Sequence, residues 1–194
     1  MRLFVGVVPP QDVVDHLDAF LDVRREVAAF RWSAPEQWHV TLAFSGDAPE
    51  RTLDEVYERL ERAAGRRSAF DVRVAGGGAF PDPARARVLY AGVAGTNGDG
   101  SANRDVHERL AHLSTGTRAA LARAGAPVDG QRFRPHLTVA RLGHPEEVSN
   151  WVRLLDAYAG PVWRVDEISL IASHLGEGPR GRPRYEVMET FPLG

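Results

Sequence analysis

The sequence predicts a mixed helix-and-strand protein made of two similar βαβαβ lobes. Three observations carry that expectation. Short β-rich runs alternate with segments of helical hydrophobic spacing, the order of the first half recurs in the second, and a tetrad of alternating histidine, threonine and apolar residues sits at the same place in both.

The elements follow in order. Arg2 to Val8 is an apolar, β-branched run closed by Pro9-Pro10, which reads as a buried strand and a turn. From Gln11 to Ala29, Val13, Val14, Leu17, Phe20, Leu21 and Val27 fall near helical spacing among charged residues, the pattern of an amphipathic helix. Arg31 to Gln37, with Pro35, is a loop or short extended piece, and Trp38 to Phe44 alternates as a strand that turns at Ser45-Gly46-Asp47. Pro49 to Ala64 is a second helix, with proline suited to its first turn. Phe70 to Val74 and Arg87 to Val93 are strands. The second half adds a helix over Arg104 to Ala124, a strand within Phe133 to Leu142, a helix over Glu146 to Tyr158, and strands over Val162 to Ala172 and Arg184 to Phe191. In the two copies the first strands carry Phe4 and Tyr90, and the strands after the second helices begin at Phe70 and Trp163. No linker parts the halves, so residues 1–194 read as one bilobal domain with two pseudo-symmetric halves.

The chain has 194 residues, 24 basic and 26 acidic side chains, and every basic one is arginine. At that length a folded chain removes roughly 70% of its unfolded surface from water and needs no staples. Cysteine is absent, which excludes disulfides, thiolate zinc sites, CxxC redox pairs and a cysteine nucleophile. A formal charge of −2 argues against a broad footprint on duplex DNA or an anionic membrane, but not against a small phosphate site. The apolar run at the N-terminus is too short for a signal peptide and no stretch of 18 apolar residues occurs, so the expectation is a cytoplasmic protein with no membrane partner.

The tetrads are His39-Val40-Thr41-Leu42 and His136-Leu137-Thr138-Val139, 97 residues apart. On a strand, residues i and i+2 share a face. His39 then lies beside Thr41, with Val40, Leu42 and Phe44 on the core side, and His136 lies beside Thr138. In a helix the same spacing would turn the two polar groups about 200° apart. One imidazole can take a proton while another gives one, which suits phosphodiester chemistry without a metal, and the threonine hydroxyls can donate to the non-bridging oxygens. A single histidine on a strand is more commonly a satisfied polar residue than a catalyst; the repeat on two similar half-chains argues for a site.

In these residues the chain resembles the 2H phosphoesterase superfamily, and specifically its RNA 2′,3′-cyclic phosphodiesterase branch, also called 2′-5′ RNA ligases. The likeness runs over nearly the whole chain: Arg2 to Val7, Arg31-Trp32 through Pro35-Glu36 to Phe44, Phe80-Pro81, Arg87 to Tyr90, Phe133 to Arg141, and Pro183 to Val187. Ser45 departs from it, where many relatives carry an apolar residue. The resemblance implies an α+β fold with antiparallel sheets and the two tetrads facing each other across a central cleft. It implies that His39 is the proton donor and His136 the proton acceptor in opening a 2′,3′-cyclic phosphate to a 2′-phosphomonoester. With a 5′-hydroxyl in place of water it implies formation of a 2′-5′ linkage. The implied partners are RNA ends or nucleotides bearing a cyclic phosphate, with no obligate protein partner and no cofactor.

Arg134, extended before Pro135, and Arg141 are candidates to fork a phosphate, although strict alternation turns Arg141 away from Thr138. Arg180, Arg182 and Arg184 form a basic loop that could meet RNA. Phe44, Tyr90, Trp38 and Phe133 are candidates to stack on a base, with core packing as the competing role. His16, His107, His112, His144 and His174 read as surface residues on helices or loops. Gly76-Gly77-Gly78 lacks the lysine of a P-loop, Thr96 to Gly100 lacks the acids of a calcium loop, and no ligand spacing for a metal is present. The absence of lysine also excludes a lysyl-nucleotidyl ligase. Two other classes remain open: a non-catalytic nucleotide- or RNA-end-binding module, and a dinuclear metallohydrolase that uses the two histidines as ligands.

Overall fold

The computed structural model describes residues 1–97 and 100–194; the Thr96 to Gly100 segment therefore lies partly outside the described residues. Nine strands pair antiparallel into one sheet: β1 (Leu3–Val7), β2 (Arg31–Trp32), β3 (Val40–Ser45), β4 (Phe70–Phe80), β5 (Ala86–Ala94), β6 (His136–Glu146), β7 (Ala159–Val165), β8 (Glu167–His174) and β9 (Arg184–Pro192). The order across it is β7-β4-β5-β6-β3-β1-β8-β9, with β2 paired to β6. Four helices cover it: α1 (Gln11–Arg25), α2 (Leu53–Ala64), α3 (Gly100–Arg123) and α4 (Ser149–Asp156). Among the described residues no helix is long and apolar enough to cross a membrane.

The two tetrad strands, β3 and β6, meet at the middle of the sheet, where Val40 stands opposite Leu137. Four strands lie on each side of this seam, and each set mixes both halves of the chain: β4 from the first half joins β5, β6 and β7, while β8 and β9 join β1 and β3. The helices are exchanged too, since α1 packs on β7 and α3 on β3. The expected strand over Val162 to Ala172 is really two, broken at Asp166. Because one residue joins β7 at one edge to β8 near the other, the sheet must curl until its ends approach.

Core residues line the helix-covered face of the sheet. Val13, Val14, Leu17 and Leu21 of α1, Val56, Leu60 and Ala64 of α2, and Leu110, Leu113 and Leu121 of α3 are buried, and Val40, Leu137 and Val139 of the tetrads are at most 1% exposed. Several boundaries differ from those the local pattern suggests. Glu50–Thr52 forms a 3₁₀ turn before α2, with the Thr52 hydroxyl donating to the Pro49 carbonyl. Helix α4 begins at Ser149, because β6 continues to Glu146, which pairs with Ala86. β4 runs through the glycine triplet to Phe80. A register shift between Val74 and Gly77 and a φ of 73° at Gly76 accommodate it, and a side chain at Gly77 or Gly78 would collide with Leu155 or Tyr90.

Candidate active site

The four tetrad side chains lie half-buried on the open face of the sheet, on either side of the seam. Each histidine is held the same way. The Nδ1 of His39 bonds the Gln37 carbonyl at 2.7 Å, and the Nδ1 of His136 bonds the Arg134 carbonyl at 2.6 Å. A carbonyl only accepts, so both Nδ1 atoms carry the proton in the neutral ring. That leaves both Nε2 lone pairs for chemistry.

Aromatic rings fix the imidazoles further. His39 stacks on Phe4 with centroids 4.4 Å apart and meets the edge of Tyr185 at 5.6 Å. His136 lies 5.3 Å from Tyr90 and 4.9 Å from Phe80, which themselves stack at 4.6 Å. The two settings are not equivalent. Tyr90 stands opposite Thr138, whereas Gly6 stands opposite Thr41, so in register the counterpart of Tyr90 is Gly6 and not Phe4. A Cβ on Gly6 would lie 3.0 Å from the Val40 carbonyl and 3.5 Å from His39 Cδ2. The bare glycine lets the His39 ring lie over β1 and reach Phe4.

Burial pushes both imidazoles toward the neutral form, His39 from its ordinary value down to about 4 and His136 in the same direction. In each the carbonyl bond at Nδ1 opposes the shift, and the Arg141 guanidinium adds to it. His39 is also lowered by the nearby charge of His136.

Arg141 lies on the side of the two rings, contrary to strict alternation. Leu89 pairs with Ala140 and Tyr90 with Thr138, which makes Val139 an extra residue, a bulge. Beyond it Arg141 pairs with Val88 and lies on the face of Tyr90 and Thr138. The first tetrad has the same device. Val5 pairs with Ala43 and Gly6 with Thr41, so Leu42 is the extra residue, and Phe44 opposite Phe4 emerges on the histidine face instead of in the core. There its half-buried ring lies under Arg2, whose guanidinium carbon is 5.0 Å from its centroid.

The remaining candidates separate. Tyr90 is in the site beside His136. Arg134 is exposed, with its guanidinium 5.9 Å from the Phe80 centroid, and with Phe133 it lines a cavity next to His136. Trp38 is 2% exposed and packs in the core. Arg182 donates to the Trp32 carbonyl, and Arg184 pairs with Glu177 and Glu186. Among the other histidines, His16, His107, His112 and His144 are exposed, but His16 bonds the Tyr158 hydroxyl and His107 the Val93 carbonyl. His144 and His174 lie on β6 and β8 rather than on helices or loops, and His174 bonds Glu186 at 2.9 Å. Phe4, Phe80 and Tyr185 are the site rings that local reasoning passed over. Nothing in the spacing of β9 or of the far end of β4 connects them to the tetrads.

Among the described residues no cluster of three or more His, Cys, Asp or Glu is assembled. Two polarised rings on one face, two hydroxyls and a guanidinium make an arrangement able to move protons at an anionic centre.

Residues 11–177 match the model of the 2′-5′ RNA ligase superfamily. An RNA 2′,3′-cyclic phosphodiesterase of Thermus thermophilus is 32% identical over 100% of this chain and 90% of its own length. A protein so named from Aeropyrum pernix is 36% identical over 78% of this chain and 82% of its own. A crystal structure of a Thermus thermophilus protein superposes with a TM-score of 0.75 at 29% identity, covering 100% of this chain and 98% of that one. The chain belongs to the 2′-5′ RNA ligase superfamily.

Proposed function

We propose that this chain hydrolyses RNA or nucleotide 2′,3′-cyclic phosphate ends to 2′-phosphomonoesters, with His39 and His136 as the acid–base couple. The observation that carries this reading is the shared anchoring of the two rings: each Nδ1 is committed to a backbone carbonyl two residues upstream, so the Nε2 lone pair is the one left for chemistry in each. The relatives named RNA 2′,3′-cyclic phosphodiesterase support the substrate class.

In this mechanism Nε2 of neutral His136 removes a proton from water as its oxygen attacks phosphorus. The bond to the 3′-oxygen breaks in line on the opposite side, and that oxygen takes the proton carried on Nε2 of His39. The product is a 2′-phosphate and a 3′-hydroxyl, with His136 left protonated and His39 neutral; solvent exchange restores both. Thr41 and Thr138 donate to the non-bridging oxygens, where charge builds. Arg141 lies near the same anion, and Arg134 stands at the rim beside His136. Tyr90 and Phe44 supply apolar walls for the sugar and base. His39 enters as an acid although burial favours its neutral form, because the bound phosphodiester anion favours the imidazolium. A 5′-hydroxyl in the place of water yields a 2′-5′ phosphodiester by the same displacement. The cytoplasm is the compartment this reading implies.

The test is incubation of a cyclic-phosphate-ended oligonucleotide with the protein in excess chelator. Turnover to a 2′-phosphate is expected, and His39→Ala and His136→Ala should each lower it by about 10²–10⁴-fold while the far-UV spectrum is kept. Loss of activity in chelator, or a variant close to wild type, overturns the reading.

A further inference from the structure

We propose that Arg104, Arg132 and Arg134 form a subsite for a second RNA strand, the one that presents the attacking 5′-hydroxyl in 2′-5′ ligation. This rests on the acid–base assignment above. The three arginines line a cavity of about 350 Å³ between the start of β6 and the exposed side of α3, and Phe133 forms part of its wall. That volume suits one nucleotide.

Position gives the cavity its meaning. β3 and β6 run antiparallel across the seam with Val40 opposite Leu137, so the residues preceding His39 and those preceding His136 leave the site in opposite directions. The cavity adjoins residues 132–135, immediately before His136. A second cavity, of about 390 Å³, adjoins Gln37 and Tyr185 at the His39 end. In-line displacement puts the attacking oxygen beside the base and the leaving ribose beside the acid. With His39 as acid, the cyclic-phosphate strand extends toward the second cavity, and the nucleophile comes from the Arg104 side. Water needs no anion site there. A 5′-hydroxyl on a polynucleotide brings a phosphate one nucleotide behind it.

Charge separates the two cavities in the same sense. At the His39 end Arg180, Arg182 and Arg184 line the wall with Glu36; Arg184 pairs with Glu177 and Glu186 and Arg182 donates to the Trp32 carbonyl, so three guanidiniums stand against three carboxylates. At the His136 end, among the described residues, none of Arg104, Arg132 and Arg134 has an ion-pair partner, and Glu108 is the single acid in the lining. Three exposed guanidiniums against one carboxylate leave a net positive site able to fork phosphate oxygens. Phe133, half-buried beside them, offers a face on which a base can stack.

The test uses the full chain and the double variant Arg104→Glu with Arg132→Glu, both exposed positions. Three readouts are compared: hydrolysis of a 2′,3′-cyclic mononucleotide, ligation of a cyclic-phosphate-ended oligonucleotide to a 5′-hydroxyl oligonucleotide, and binding of the latter alone by fluorescence anisotropy. Mononucleotide hydrolysis should be unchanged. The KM for the 5′-hydroxyl strand should rise by at least about tenfold, the scale of removing one charge-assisted hydrogen bond. The salt dependence of its binding should become shallower by about 0.7 for each phosphate no longer neutralised. Unchanged ligation and binding overturn the proposal. So does an equal loss in hydrolysis of the cyclic-phosphate-ended oligonucleotide, since the cavity would then hold the cleaved strand itself. A wild type that binds the 5′-hydroxyl strand through these arginines yet turns over no cyclic phosphate instead overturns the acid–base reading, and the ligation role with it.

Discussion

His39 and His136 are polar residues on a sheet face crowded by rings, and that crowding sets their chemistry. Phe4 and Tyr185 beside His39, and Tyr90 and Phe80 beside His136, exclude water from one side of each imidazole and favour its neutral form. For His39 the consequence for stability has a definite sign. The unfolded chain takes up a proton near pH 6.5, while the folded chain does so only near pH 4. Above pH 6.5 the group contributes nothing to the pH dependence. Between pH 6.5 and 4 the unfolded state binds more protons, so stability falls as pH falls, by about 3 kcal/mol when complete. Urea unfolding at pH 7 and 4.5 should therefore show wild type losing roughly 2–3 kcal/mol more than His39→Gln over that interval. Equal losses would mean that the ring is not held neutral. In activity, the alkaline limb of kcat should lie at higher pH than that of kcat/KM, because only the complex has the phosphate anion to hold the proton on His39. Coincident limbs in the two pH profiles would count against that role.

At the scale of the strand, the two bulges matter more than the alternation that makes the tetrads recognisable. Leu42 and Val139 are each an extra residue at the end of a tetrad, and each reverses the facing of the residues beyond it. This brings Phe44 and Arg141 to the histidine face. Glycine at position 6 belongs to the same construction, because it leaves the room that the His39 ring uses. Gly6→Ala places a methyl against the Val40 carbonyl and the His39 ring. It should lower kcat for cyclic-phosphate hydrolysis by on the order of tenfold through a displaced acid, while the unfolding midpoint moves less than for a core deletion. Ser45, which ends β3, is fully buried and, among the described residues, its hydroxyl has no hydrogen-bond partner. Replacing it by alanine removes an unsatisfied polar group, so Ser45→Ala should raise the unfolding free energy by about 1 kcal/mol in urea titrations. A destabilised variant would show that the hydroxyl is satisfied after all.

Over the whole molecule, a net charge of −2 on a chain with 24 basic residues means that positive charge is local. In the proposed mechanism Arg141 lies near the reacting anion, and hydrolysis of a cyclic mononucleotide should accordingly depend weakly on salt, with a log–log slope for kcat/KM no steeper than about −1. A slope of several units would require a broad basic surface. The topology explains how so short a chain builds a site between two sets of strands: β4 crosses to join β5, β8 and β9 return to β1, and the sheet curls to bring β7 and β8 together. By itself the sequence determined the two His-x-Thr faces, the apolar backing of Val40 and Leu137, the exclusion of thiol and lysine chemistry, and most element positions, because each depends on residue type and on spacing within a few residues. Tertiary structure alone decided that strands from both halves share each side of the seam, that Arg141 and Phe44 face the histidines, that Phe4, Phe80 and Tyr185 surround them, and that Trp38 does not. These are properties of register with a partner strand distant along the chain. A bulge arises where two strands of different local length are forced into one ladder, and no stretch of sequence carries that information without its partner.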